Sequence, residues 1–293
     1  MPARLILNAD DFGLTPGINR AIAELNSAGV LTSATLMANG PAFDDAVAVA
    51  RTHPTLGVGC HIVLTDGVPL APLQLIPGLL GPDRKTLRPS LPDFIQALLR
   101  GKIKPAEIEL EAVFQIHKLQ AAGIKITHLD THKHTHLFPV VAQRLFALAE
   151  SNRIPAIRNP FEPPWSLALD HGSNTRRLAI KLINRLRPRF EASLRLHQGR
   201  IQTTEGTVAI SATGQLNATT LAEVLRALPP NGTYELCCHP GYNDRDLDQV
   251  TTRLRAHRDT EREALLSEIP KLLAHPNAPQ LIHYGNLGTL TKA

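Results

Sequence analysis

The sequence predicts an α/β fold: one domain over residues 1–293, built on a mainly parallel sheet. Three observations lead there. Short apolar runs alternate with longer helix-like stretches along the chain. Polar clusters, Asp10-Asp11, His61 and 128–136, directly follow or close apolar runs, as expected where parallel strands end at a site. Two Pro-rich stretches, 69–92 and 159–164, read as long rim loops of the kind that shape a substrate site.

Taken in order, residues 5–9 form a buried strand. Thr15 and Pro16 then supply an N-cap and a first-turn proline for a helix that keeps Ile18, Ile22 and Leu25 in register up to Gly29. Residues 34–38 are a second strand, 42–51 a helix and 56–64 a third strand. Residues 105–122 are a helix with Ile108, Val113, Ile116 and Leu119 roughly on one side, ended by Gly123. A strand follows at 124–130, a helix at 139–151 and a short strand at 156–158. Strands at 233–238 and 280–283 flank a helix at about 260–273. This pattern alone fits an open sheet and a closed barrel equally.

Composition narrows the function classes. At 293 residues, 43% hydrophobic and 19% charged, the chain is an ordinary globular protein and not a disordered one. Length alone suggests about two domains at ~150 residues each, but one α/β barrel also fills it. No apolar run reaches 18 residues, and the run at 5–7 breaks at Asn8 and Asp10, too short for a signal peptide. A cytoplasmic location is therefore expected. Cys60, Cys237 and Cys238 lack CxxC spacing. The net charge of +5 (31 minus 26) is spread along the chain, and aromatics make up 4%, so no nucleic-acid partner is expected.

The chemistry concentrates in histidines and paired acids. Thirteen histidines are present, four of them within nine residues: His128, His132, His134 and His136. If 128–136 is extended, those four and Asp130 share one face, a set suited to a divalent ion and its supporting shell. Asp10 and Asp11 would point to opposite faces of a regular strand, but a turn at Phe12-Gly13 lets both serve one centre, one holding a cation and one moving a proton. The plain alternative is an Asx turn ahead of a helix. His61, in an apolar strand, is a core residue unless other strand ends bring it partners. His239 precedes Pro-Gly, which forces a turn and projects its imidazole at the rim, and His283 has a weaker version of the same setting. Arg158 ends a strand and either aids an oxyanion or makes a surface ion pair.

Five segments together resemble the YdjC-like carbohydrate deacetylase family: Asn8-Ala-Asp-Asp-Phe-Gly13; Thr32-Ser-Ala-Thr35 with Asn39-Gly40; Gly59-Cys-His-Ile-Val-Leu-Thr65; Thr127-His-Leu-Asp-Thr-His-Lys-His-Thr-His136; and Cys238-His-Pro-Gly-Tyr242. A fainter echo lies at 258–263. The resemblance implies a distorted α/β-barrel-like fold and a metal-dependent hydrolase that removes acetyl groups from N-acetylated amino sugars. It implies Asp11, His61 and His132 as metal ligands and Asp10 as general base. It places His239 facing the substrate or acting as acid. His134, His136 and Arg158 are the candidates for substrate contact. His132-Lys-His-Thr-His136 and Glu162-Pro-Pro164 are closest to the hopanoid-biosynthesis-associated branch, which implies an N-acetylglucosaminyl group on a hopanoid lipid. Asp130 and Gly241 match the general family instead, which implies a chito-oligosaccharide-type sugar.

The ligand types leave Mg2+ and Zn2+ both open. An amide resists neutral water, and one carboxylate with two imidazoles leaves coordination positions free for water and substrate. Residues 170–205 read as an inserted helical segment. Within it, 176–189 carries six cations and no acid, with Ala179, Leu182, Ile183 and Leu186 as a helical stripe. This is either a basic amphipathic helix lying on an anionic membrane face, which suits a glycolipid, or an ordinary helix with its stripe on the sheet. A homodimer is left open. The competing functions are a metal-dependent sugar phosphoesterase or another amidohydrolase, and a non-enzymatic carbohydrate- or metal-binding module.

Overall fold

The computed structural model describes residues 3–169 and 174–288. Seven parallel strands form one sheet: β1 (Arg4–Phe12), β2 (Ser33–Leu36), β3 (Gly57–Ile62), β4 (Leu129–Thr131), β5 (Gly206–Val208), β6 (Thr233–Cys238) and β7 (Gln280–Leu281). The main path runs β4-β3-β2-β1-β6-β5, and β7 pairs with the start of β1. The two ends of this path approach each other through residues 156–161. The parallel bridge Leu129–Ile157 joins this segment to β4 on one side, and the Ala156–Gln202 bridge and the Thr207 N–H donating to the Phe161 carbonyl join it toward β5 on the other. The sheet is thus curled into the distorted barrel expected. The short strand predicted at 156–158 is present only as those bridges, and the strand predicted from 124 begins at Leu129.

Ten α-helices cover the outside among the described residues: α1 (Pro16–Ser27), α2 (Phe43–Thr52), α3 (Leu91–Leu99), α4 (Pro105–Ala121), α5 (Pro139–Ser151), α6 (Pro164–Leu167), α7 (Asn174–Ile183), α8 (Arg187–Leu196), α9 (Ala218–Arg226) and α10 (Ala256–Leu273). Thr15 caps α1 by accepting from Ile18 N–H, with Pro16 in the first turn, as its sequence dictates. None of the described helices is long and apolar enough to cross a membrane.

Strand alternation sorts the side chains into two layers. Leu5, Leu7 and Ala9 of β1 point outward into the large core beneath the helices. Ile6 points the other way, into a small apolar cluster with Ala156, Ile282, Tyr284 and Leu287 at the end where the strands begin. The C-terminal segment reaches that cluster because Gln280 and Ile282 N–H groups donate to the Ala3 and Leu5 carbonyls. His283, read in the sequence beside the other histidines, lies at the end where the strands begin, near His128. It caps the turn at 284–286 and lies against Gly57 at the start of β3.

The 69–92 stretch is not a free loop. Glu111 of α4 accepts from the Leu70 and Ala71 N–H groups, and Glu107 from Gly78 and Leu79. Ile76, Leu79, Leu80 and Leu87 are buried beneath it. Two acids on a helix read as simply amphipathic therefore anchor this rim.

The segment at 170–205 is helical where described, as α7 and α8, and residues 170–173 lie outside the described residues. Its stripe is shifted from the one predicted. Ile180 is buried and Ile183 and Leu186 pack on the core, whereas Ala179 and Leu182 are exposed together with Leu178.

Candidate metal centre and active site

The site forms where β1, β3, β4 and β6 end. Continuing the alternation of Ile6, β1 sends Asn8 and Asp10 into the barrel. Regular alternation would turn Asp11 outward, but β1 carries a bulge against β2: Ala9 pairs Ala34, whereas Phe12 pairs Leu36. Asp11 sits in the left-handed region with φ 64, a strain of order 1–3 kcal/mol for a non-glycine residue. The bulge brings both carboxylates to one centre. The strand was expected to end at Ala9 and turn at Phe12-Gly13; instead it continues to Phe12, and Gly13 begins the turn with φ 88.

The 128–136 segment also departs from the extended form predicted. The strand stops at Thr131, and His132–Leu137 is a 3-10 turn with Lys133 and His134 both at positive φ. The five residues therefore do not share one strand face. His128 and Asp130 point into the barrel, and the turn carries the other three histidines at the rim. Gly59 on β3 makes room for His128: a Cβ there would lie 2.4 Å from the ring. The ring stacks on Tyr284, with centroids 3.8 Å apart.

Asp11, His61 and His132 converge. His132 Nδ1 lies 3.4 Å and His61 Nε2 3.8 Å from Asp11 Oδ1. Three donors at ~2.0–2.2 Å from one tetrahedral ion would stand about 3.4 Å apart, so the trio fits a metal ion. The supporting shell fits as well. His61 Nδ1 lies 2.8 Å from Asp130 Oδ1, which directs Nε2 toward the would-be ion. Arg258 of α10, 1% exposed, donates to the other Asp11 oxygen at 2.7 Å, leaving Oδ1 for the ion.

Beneath the trio lies a buried charge network. Arg158 is fully buried and not at the surface. It donates to both Asp10 oxygens (2.6 and 2.9 Å) and to Glu235, and its Nη1 lies 2.5 Å from Asp130 Oδ2. All three of its nitrogens meet carboxylates. This corrects the surface ion-pair reading of Arg158: its guanidinium is buried among the acids and holds them in place. Asp10 Oδ1 also accepts from Asn8 and Thr35. Glu235 is held further by the Tyr284 hydroxyl at 2.5 Å and by Thr207.

These contacts set the protonation states. Burial would raise Asp10, but the Arg158 guanidinium, His61 and His239 outweigh it and hold the carboxyl well below the usual range. Burial is likewise overcome at Asp11 by Arg258 and His132. At Glu235 burial wins over Arg158 and the pKa rises. Burial lowers His61, but Asp130 first, then Asp10 and Asp11, raise it to about 9. The pocket around His61 therefore favours positive charge, which a divalent ion would also supply.

The remaining candidates divide. His239, partly open at 13% side-chain exposure, has Nε2 3.9 Å from Asp10 Oδ2. His134 stands over Asp10, is pushed down to about 3 by desolvation and Arg158, and has an unpaired Nδ1. His136 is fully buried, with Nδ1 2.7 Å from the Thr131 hydroxyl and Nε2 without a hydrogen-bond partner. Sequence reasoning gave no role to Glu235 or Tyr284, and none to Arg258 and Glu261 beyond the fainter family echo at 258–263. Glu235 had a signal: Thr233, Glu235 and Cys237 form a polar face opposite Tyr234, Leu236 and Cys238.

The family model described as YdjC-like protein matches residues 4–274. The chain belongs to that family. A carbohydrate deacetylase of Brevibacillus brevis is 32% identical to this YdjC-like protein over 285 residues, 97% of the chain and 100% of the relative. One of Halalkalibacterium halodurans is 27% identical, covering 84% of the chain and 88% of the relative. Among solved structures, a protein of Enterococcus faecalis described as a putative cellobiose-phosphate cleavage protein shares the fold, with TM-score 0.76 and 24% identity over 98% of this chain and 99% of that one.

Proposed function

We propose that this YdjC-like protein is a metal-dependent carbohydrate deacetylase that removes the acetyl group from an N-acetylated amino sugar. The observation that carries the reading is the convergence of Asp11, His61 and His132 with Asp10 and His239 beside them. The names of full-length relatives support the substrate class.

Asp11, His61 and His132 would hold the ion, either Mg2+ or Zn2+. A divalent ion there supplies Lewis-acid polarisation of the amide carbonyl and acidifies water. Asp10 takes the proton from the attacking water. Its strong ion pair with Arg158 keeps it charged but makes it a weak base, so it depends on the water being acidified. His239 gives a proton from Nε2 to the amine nitrogen as the C–N bond breaks. The proton held by Asp10 then has a short route back to Nε2, 3.9 Å away. Water and amide become acetate and the protonated amine, the acid's own hydroxyl proton passing to the amine, with no net proton change. Each proton-transfer partner contributes about 10²–10⁴-fold.

For the sugar we infer an N-acetylglucosaminyl group. The exposed Leu178 and Leu182 on α7, flanked by Lys181 and Arg185, would suit a lipid-linked form of it. The test is acetate release, with Mg2+ or Zn2+ supplied, from an N-acetylglucosamine oligosaccharide and from an N-acetylglucosaminyl glycolipid. Acetate should appear from at least one and stop when the metal is chelated. Phosphate release from sugar phosphates with no acetate from either would overturn the reading in favour of a phosphoesterase.

A further inference from the structure

Helix α10 places two charged side chains one turn apart against the site. Arg258 reaches Asp11. Glu261, 1% exposed, reaches the residue on the opposite side, His239. The Glu261 Oε2 atom accepts the His239 backbone N–H at 2.5 Å and lies 4.0 Å from His239 Nδ1. The imidazole therefore stands between two carboxylates, with Nδ1 toward Glu261 and Nε2 toward Asp10.

We propose that Glu261 is the positioning residue for His239. It fixes the backbone where β6 ends, holds the ring with a proton on Nδ1, and leaves Nε2 to exchange its proton with the leaving amine. The proposal rests on the deacetylase reading of the site. Its physical basis is geometric. Pro240 follows His239 and has no N–H, so the His239 N–H is the backbone donor that a carboxylate can grip at this corner. A carboxylate with almost no water contact acts on the nearby ring with little screening. Charged and titratable groups face His239 from each neighbouring element: Asp10 and Asp11 of β1, His134 of the turn after β4, and Glu261 of α10. Among them, Glu261 is the one on the Nδ1 side. Burial raises Glu261 more than His239 and Arg258 lower it, so its charge depends on keeping those neighbours.

The test is Glu261→Gln, whose amide oxygen still accepts the His239 N–H while the charge is gone. We expect kcat for acetate release to fall roughly 10–100-fold, within the span of a general acid's contribution. KM should stay within about twofold, since no substrate contact is removed. The alkaline limb of the kcat–pH profile should move to lower pH, because the protonated ring has lost its counter-charge. The metal content, measured by elemental analysis after Mn2+ or Zn2+ loading, should not change. In the unmodified protein, ring 15N shifts should show the neutral His239 protonated at Nδ1. An unchanged kcat, an unmoved alkaline limb, loss of metal, or a neutral ring protonated at Nε2 would each overturn the proposal. Should Glu261→Gln fail to fold, the ring 15N measurement decides alone. If the unmodified protein releases no acetate from N-acetylated sugars, the deacetylase reading fails separately, and the ring measurement still reports on Glu261.

Discussion

The two ends of the barrel interior are built on opposite principles. Where the strands begin, Ile6, Ala156, Ile282, Tyr284 and Leu287 fill the interior with apolar bulk. Where they end, Asp10, Asp11 and Asp130, with Arg158 beneath them, lie with less than a tenth of their surface exposed; Glu235, level with Ile6, joins the two layers through the Tyr284 hydroxyl. The first end gains stability from removing carbon from water. The second gives some up, because buried ions regain their hydration cost only when every one is paired. It adds a bulge and several non-glycine residues at positive φ, among them Asp11, Lys133 and His134. Such costs persist only where the surrounding structure over-determines them, as a preorganised site requires. One end should answer to stability measurements, the other to metal content and turnover.

The largest effect expected is at the polar end. His61→Ala removes one of the three proposed ligands and leaves Asp130 without its imidazole partner. Metal content after loading with Mn2+ or Zn2+ should drop to background and acetate release with it, while the melting temperature of the metal-free protein changes far less than for a core deletion. A variant that keeps its ion would remove His61 from the metal centre.

The contrast between the ends was partly visible in the sequence. The alternation that sends Ile6, Asn8 and Asp10 to one face and Leu5, Leu7 and Ala9 to the other is a period-2 signal. The same signal sits in Thr233-Tyr-Glu-Leu-Cys-Cys238, where Glu235 is inward. Polar side chains closing apolar runs marked Asp10-Asp11, His61 and 128–136 as a site, and the family resemblance singled out Asp11, His61 and His132 among them. What was not legible depends on distance along the chain. Arg258 meets Asp11 across 247 residues and Arg158 meets Asp10 across 148, and nothing local to either arginine names its partner. The bulge at Asp11 and the 3-10 turn at 132–137 were hidden for another reason. Tertiary contacts force those dihedrals on residues with no local preference for them, so an alternation rule run through 128–136 gave the wrong faces.

At the apolar end, Ile6→Ala should lower unfolding free energy by about 2–5 kcal/mol, the usual range for emptying a fully buried aliphatic site. Chemical denaturation measures it. Metal content should be unchanged. If the ion were lost together with stability, the two ends would be one cooperative unit and the comparison would fail.

The smallest effect expected is a slope with pH in the metal-free protein. His61 is raised to about 9 from its ordinary 6.5, with Asp130 the first of the groups that raise it against burial. The folded protein then binds a proton that the unfolded chain has released. The stability this proton brings is fully present below pH 6.5 and is lost as pH rises through 9. The lowered Asp10 and Asp11 act in the opposite sense, but on the acid side: their contribution is present above the usual carboxylate range and fades as pH falls through their own lower values. Glu235 and Glu261, raised by burial, add a slope of the same sign as His61. The variant His61→Ala separates these terms, since it keeps both glutamates and loses only the imidazole's share. Melting temperatures from pH 6.5 to 9.5 should therefore fall more steeply in the metal-free unmodified protein than in His61→Ala. Binding an ion displaces the same proton, so metal affinity should climb over that window. Equal slopes in the two proteins would mean that the proton, and with it the favoured positive charge, does not reside on His61.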